Sequence, residues 1–344
     1  MHVAQKHALG PDPRLRSVFA ITTCIKQELK ARRIGSVQPQ RALAYSGSRL
    51  MAVLGALPPG VRCRPIREAD WQGVVDCLCR GFPKRDRSYW IQALTRLSQR
   101  PPVAEFPQYG LALEKADRIV GVVLTLYTRY PGQEGDEVRC NLSSWSVDAE
   151  FRPYGAKLVT TILKRRDVTY TNISPAPATL KANWALGFRP FTTGQFAFLP
   201  AFSSAQRSCR VLEARPDLAE MAMLSDSERY ILSEHSALGC RSLICICDGA
   251  AFPFVLMPRR ILRGLIPSYQ IVYCRSLADL SRCAGAIGRF LLRSGILLCV
   301  VDAREPIGGL FGWYRANSGL KYFRGPRPPS LGDLSFTELV MFGP

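Results

Sequence analysis

Apolar and polar positions fall into a regular pattern only from Val61 onward. Residues 61–66 alternate as a strand, and Asp70 stands as an N-cap before a helix through Trp71, Val74, Val75, Cys77 and Leu78. A second helix is predicted over 88–98, with Trp90, Ile91, Leu94 and Leu97 on one side. Residues 109–114 and 118–127 read as a hairpin closed by Lys115-Ala116-Asp117. A strand over 138–147 then passes through a turn, Arg152-Pro153-Tyr154-Gly155, into a helix with Leu158, Val159, Ile162 and Leu163 on one face. A strand at 168–173, a short helix at 179–185 and a closing strand at 188–199 complete this half.

The pattern then repeats. A helix is predicted at 226–234, strands at 242–247 and 252–257 around Asp248-Gly249, and a strand at 265–273. A helix at 277–292, a buried strand at 296–302 and a closing segment at 336–342 follow. Gly187-Phe188-Arg189-Pro190 is echoed by Tyr322-Phe323-Arg324-Gly325-Pro326. The reading is a tandem repeat of one fold, α/β with a mixed, mostly antiparallel sheet flanked by helices. The predicted layout is a basic extension over 1–56, a first domain over 57–200, a linker over 201–224 and a second domain over 225–344. Residues 1–55 hold nine Lys or Arg and only two acids, Asp12 and Glu28. Their weak apolar periodicity fits a disordered leader better than a transit-type peptide.

Composition narrows the partners. The chain has 344 residues and a net charge of +19. Such a balance suits anions: nucleic acid, an anionic membrane surface or phosphate-bearing small molecules. No basic run of five or more occurs, so nucleic acid is compatible with the charge without being favoured. No apolar run is long enough to span a bilayer; residues 290–301 are cut by Arg293, Ser294 and Gly295. There are 12 cysteines and only three histidines, His2, His7 and His235. A histidine triad is excluded as improbable chemistry. The pairs Cys77/Cys79 and Cys245/Cys247 lack zinc-knuckle spacing and read as core positions, with no metal expected. Cysteines in apolar runs point to a reducing compartment, and the expected location is cytoplasmic.

The strand–turn–helix at 141–164 offers unpaired backbone N–H groups at a helix start, a site for phosphate or pyrophosphate. Its sequence, Arg152-Pro153-Tyr154-Gly155-Ala156-Lys157, resembles the pyrophosphate loop Arg/Gln-x-x-Gly-x-Gly/Ala of the GNAT superfamily of acyl-CoA N-acyltransferases. It matches at Arg152 and Gly155 and departs at Lys157. The entry Trp145–Arg152 and the later Asn183-Trp184-Ala185-Leu186-Gly187-Phe188 resemble the family's strand-to-loop and final helix-to-strand turns. The element order over about 140 residues is similar as well. The resemblance implies acetyl-CoA or another acyl-CoA as co-substrate. It would be held by Ser144, Trp145, Ser146, Val147, Arg152, Tyr154, Gly155, Ala156 and Lys157.

The resemblance also implies an amine acceptor attacking the thioester directly. The family's tyrosine position is Asn183 here, and the strand over 139–147 has no Asp or Glu. Tyr170 and Tyr154, with Asn183, are the candidate catalytic residues; a base supplied by the other half stays open. The second half carries a degraded loop, Arg282-Cys283-Ala284-Gly285-Ala286-Ile287-Gly288, and is expected not to bind CoA. The function expected is N-acyl transfer from acyl-CoA to an amine. The alternatives are a tRNA-dependent aminoacyl transferase of tandem GNAT-like fold and an inactive GNAT-like binding or scaffold protein.

Overall fold

The computed structural model describes residues 56–130, 136–176, 179–203, 208–261 and 266–343. The predicted basic extension lies almost wholly outside them. The first half builds β1 (Val61–Pro65), α1 (Trp71–Gly81), α2 (Arg87–Ser98), β2 (Gly110–Lys115), β3 (Arg118–Tyr130) and β4 (Glu137–Val147). It continues with α3 (Arg152–Ile162), β5 (Val168–Asn172), α4 (Leu180–Ala185) and β6 (Arg189–Phe198). The second half builds β7 (Arg210–Glu213), α5 (Asp226–Ala237), β8 (Arg241–Cys247), β9 (Ala250–Ile261) and β10 (Ile266–Cys274). Then come α6 (Leu277–Leu292), β11 (Leu298–Ala303), β12 (Gly312–Arg324) and α7 (Glu338–Met341).

Local chemistry sets the helix starts. Asp86 caps α2 by accepting from the Tyr89 amide. Ser225 and Glu228 form a reciprocal capping box on α5, and Ser276 caps α6 through the Asp279 amide. Asp70 does not cap α1: its carboxylate accepts from the Arg67 amide and from Arg64, closing a short 3-10 turn ahead of the helix.

Among the described residues, all twelve strands join one sheet in the order β1-β2-β3-β4-β5-β12-β6-β11-β10-β9-β8-β7. The pairs β4–β5 and β10–β11 are parallel and the others antiparallel. The order reads the same from both ends when each strand is exchanged with the one six places away in the chain. β6 lies against β11, and β12 against β5, so the closing strand of each half completes the sheet of the other. β12 is absent from the sequence-based reading. Its mostly exposed first part and the register break between Ala316 and Lys321 hide its alternation. The stretch read as a linker also holds β7, an edge strand paired to β8.

The sheet is covered on both faces. α3 packs one face over Leu113, Cys140, Val168 and Tyr170, and α6 covers the same face further along. α1 and α2 pack the other face over Ala112, Val122 and Leu124. The chain's last residues run back across that face from the second half, and Met341 and Phe342 join the α1–α2 core. The cysteines read as core positions are buried at Cys77, Cys140, Cys245, Cys247, Cys274 and Cys299, and half-buried at Cys79. The expectation of free thiols fails at one pair, since Cys209 and Cys247 form a disulfide. Among the described residues, no helix is long and apolar enough to cross a membrane.

Candidate active site

β4 pairs with β3 along its whole length but with β5 only from Val138 to Asn141. Beyond Asn141 the two parallel strands part. The β5-facing edge of 142–147 has no strand partner among the described residues, and its backbone groups are left for a ligand. A bulge lies in this stretch: Val122 faces Ser146 and Leu124 faces Ser143, so Ser144 and Trp145 share one partner. Ser144 takes a left-handed φ of 52° to make it, a conformation costing about 1 kcal/mol or more in a non-glycine residue.

The predicted donor residues line this opening and the helix start beside it. Ser144 is half-buried and its hydroxyl meets that of Ser143 at 2.8 Å. Trp145 is half-buried, and its indole N–H has no acceptor among the described residues. Ser146 turns the other way, under α1, where its hydroxyl donates to the Cys77 carbonyl at 3.1 Å. Its side chain is therefore structural, and only its backbone remains for a donor.

α3 begins at Arg152, so the amides of Arg152 and Tyr154 lie in its first turn while Pro153 has none. Gly155 lies flat on β4: a Cβ there would come within 3.1 Å of Val147 and 3.5 Å of Trp145. Ala156 is buried behind it, and Arg152, Tyr154 and Lys157 are half-buried along the rim.

The three catalytic candidates have different fates. Tyr170 points into the core beneath α3, fully buried, with its hydroxyl donating to the Ile162 carbonyl at 2.6 Å. Burial pushes this phenol well above the usual tyrosine range. It is a core residue with its proton already placed, away from the opening. Tyr154 stays at the helix start as part of the donor rim. Asn183 is buried in α4; its Oδ1 accepts from Asn172 at 3.3 Å, and its Nδ2 has no acceptor among the described residues. It is a hydrogen-bond donor in waiting, without a transferable proton.

A carboxylate from α7 lies beside β4. Glu338 opens α7, and its backbone N–H donates to the Asn141 side chain at 2.7 Å, at the residue where β4 and β5 part. Its carboxylate accepts from Ser174, just past β5, and from Ser143 on β4. Burial raises the carboxyl above the ordinary glutamate range, against the pull of those two hydroxyls. The segment carrying it is strapped down. Arg139 pairs with Asp333 at 2.5 Å, Tyr130 donates to the Ser335 carbonyl at 2.9 Å, and the Phe336 amide donates to His235 Nε2 at 3.1 Å. The sequence carries one hint, an acid inside the otherwise apolar run 336–342.

The corresponding opening in the second half is closed. β10 pairs with β11 only at 268–270, but the space beyond is filled by the chain itself. The Cys274 amide donates to the Gly332 carbonyl at 2.9 Å and the Leu334 amide to the Val272 carbonyl at 2.7 Å. The degraded loop lies inside α6, where its amides are spent in the helix, and Gly288 is required because a Cβ would strike the backbone of Pro200 and Ala201.

The overall arrangement of strands and helices is matched in solved structures. A GCN5-related N-acetyltransferase from Anabaena variabilis superposes with a TM-score of 0.50 at 9% identity, over 76% of this chain and 72% of that one. The fold is that of the GCN5-related N-acetyltransferases. Within this GNAT fold, a GCN5-related N-acetyltransferase from Sphaerobacter thermophilus aligns with a TM-score of 0.43 at 14% identity, over 81% of this chain and 100% of that one. Saccharomyces cerevisiae N-myristoyltransferase with bound myristoyl-CoA aligns with a TM-score of 0.42 at 10% identity, over 82% and 89%. No protein-family model matches the chain, and no curated protein matches it significantly.

Proposed function

We propose that the protein is an acyl-CoA-dependent N-acyltransferase whose donor site lies in the first half and whose general base, Glu338, comes from the tail of the second. The halves are two tandem GNAT-like units that exchange closing strands. The observation that carries this reading is the Glu338 carboxylate, held between Ser143 and Ser174 where β4 leaves β5.

The residues fit the donor. The unpaired edge of 142–147 offers hydrogen bonds to an extended amide-bearing chain, as a strand partner would. The α3 start, with Arg152 and Lys157, suits a pyrophosphate. Trp145 and Asn183 each bring a buried donor with no acceptor of its own, which a bound ligand would satisfy.

The chemistry follows from these positions. An acceptor ammonium meets Glu338, which takes its proton; the free amine forms the new C–N bond at the thioester carbonyl. Backbone amides near the bulge face the oxygen on which charge develops. The C–S bond then breaks, and thiolate and surplus ammonium proton neutralise one another. A raised carboxyl pKa suits a base working nearer neutral pH.

The test is acetyl transfer from acetyl-CoA to a panel of primary amines, paired with acetyl-CoA binding by calorimetry. Binding and turnover in the native chain, with turnover lost but binding kept in Glu338→Gln, is the expected result. Absence of acetyl-CoA and longer acyl-CoA binding would remove the reading.

A further inference from the structure

Away from the β4–β5 opening, three cysteines cluster at the sheet edge and a fourth approaches them from α6. Cys245 and Cys247 stand on the same face of β8. Cys209, just before β7, lies across from Cys247 by the register that sets Arg210 opposite Ile246. Cys283 comes down from α6 onto that face. The sulfurs of Cys209, Cys245 and Cys247 lie within 4.8 Å of one another, and Cys283 stands outside that group, next to Cys247. Cys245 Sγ is 3.6 Å and Cys283 Sγ 3.8 Å from Cys247 Sγ. Cys245, Cys247 and Cys283 are fully buried, and Cys209 is half-buried at the sheet edge.

These spacings have a specific meaning. A tetrahedral zinc with Zn–S bonds of about 2.3 Å has sulfurs about 3.8 Å apart. An all-sulfur donor set selects a soft or borderline ion over magnesium or calcium. Arg282 and Arg289 on α6 stand near Cys283 and Cys245, where they offset part of the negative charge of a four-thiolate site; Asp279 opposes them near Cys283.

We propose that Cys209, Cys245, Cys247 and Cys283 form a zinc site in the reduced protein, and that the Cys209–Cys247 disulfide is the metal-free oxidised form of the same cluster. The two forms interconvert with a balanced step. A dithiol reductant supplies two electrons and two protons to the disulfide and becomes a disulfide itself. Zinc then displaces four thiol protons as the four Zn–S bonds form. The metal ties the short edge strand β7 and helix α6 to β8. It is remote from the donor site and does not depend on the proposed acyl transfer.

The test is the metal content of the full chain, purified under a dithiol reductant, loaded with zinc and desalted. About one zinc per chain is expected, and cobalt exchange should give the visible absorption of a tetrahedral thiolate site. Cys245→Ala/Cys283→Ala should lower bound zinc about tenfold or more, while Cys299→Ala, buried in the same core, should keep it. Cys209→Ser, at the half-buried edge, repeats the test with the interior sulfurs unchanged and should also weaken binding at least tenfold. Diamide oxidation should release the zinc to a chromogenic chelator as the Cys209–Cys247 bond appears by peptide mass spectrometry. Zinc below about a tenth of an equivalent in the reduced native chain overturns the site, as does unchanged zinc in Cys209→Ser.

Discussion

Glu338 is a half-buried carboxylate with two hydroxyl donors, and its raised pKa sets the direction of a pH effect. A base works when deprotonated, so turnover should rise with pH through an acid limb lying above the ordinary glutamate value. Glu338→Gln should erase that limb and lower kcat by about a hundredfold to a thousandfold, with acetyl-CoA affinity unchanged. A pH–rate profile of both proteins checks this. His235 gives a second, independent pH effect. Its Nδ1 lies 2.8 Å from the Ile231 carbonyl and its Nε2 accepts from Phe336, so the buried ring is neutral. Burial depresses its pKa from 6.5 to about 4. The unfolded ring takes up a proton first as pH falls, so stability is lost between about pH 6.5 and 4, by at most about 3 kcal/mol. Chemical denaturation across that window should show the loss, and His235→Gln should flatten it. Tyr170, read from sequence as catalytic, makes the opposite prediction. Tyr170→Phe should cost about 1 kcal/mol of stability through the lost bond to Ile162 and leave turnover intact.

At the scale of elements, the bulge in β4 is the feature most open to test. Ser144 holds a left-handed φ, which glycine adopts without a steric penalty. Ser144→Gly should therefore be neutral or stabilising by up to about 1 kcal/mol in thermal melts, in spite of the lost contact with Ser143. Most elements of both halves were legible from period alone. The strand–turn–helix around Gly155 was legible because its apolar run, proline and glycine all mark the same boundary. The failures have physical causes. β12 escapes because exposed positions and a broken register erase its alternation. Tyr170 and Ser146 show what period two leaves open, since it assigns residues to alternate faces without saying which face is covered. Glu338 escaped because its one local mark, an acid in a mostly apolar run, says nothing of neighbours, Ser143 and Ser174, that lie about half the chain away. The side of the sheet it serves is set by tertiary packing.

At the scale of the molecule, one sheet spans both halves, and β6 and β12 each sit in the other half's territory. Residues 56–203 alone would lack β12 and the tail that cover their own core. That fragment should show no cooperative thermal transition, and coexpression with residues 208–344 should restore one; calorimetry of the two preparations decides it.

The tail has one more consequence. The proposed donor loop, residues 144–157, is synthesised well before Glu338. A polypeptide released early would carry the whole donor loop and no base, and would lack the strand on which β5 rests. Catalytic competence would then certify that translation had passed Glu338. Truncated products would be unable to acylate anything, whatever donor they met.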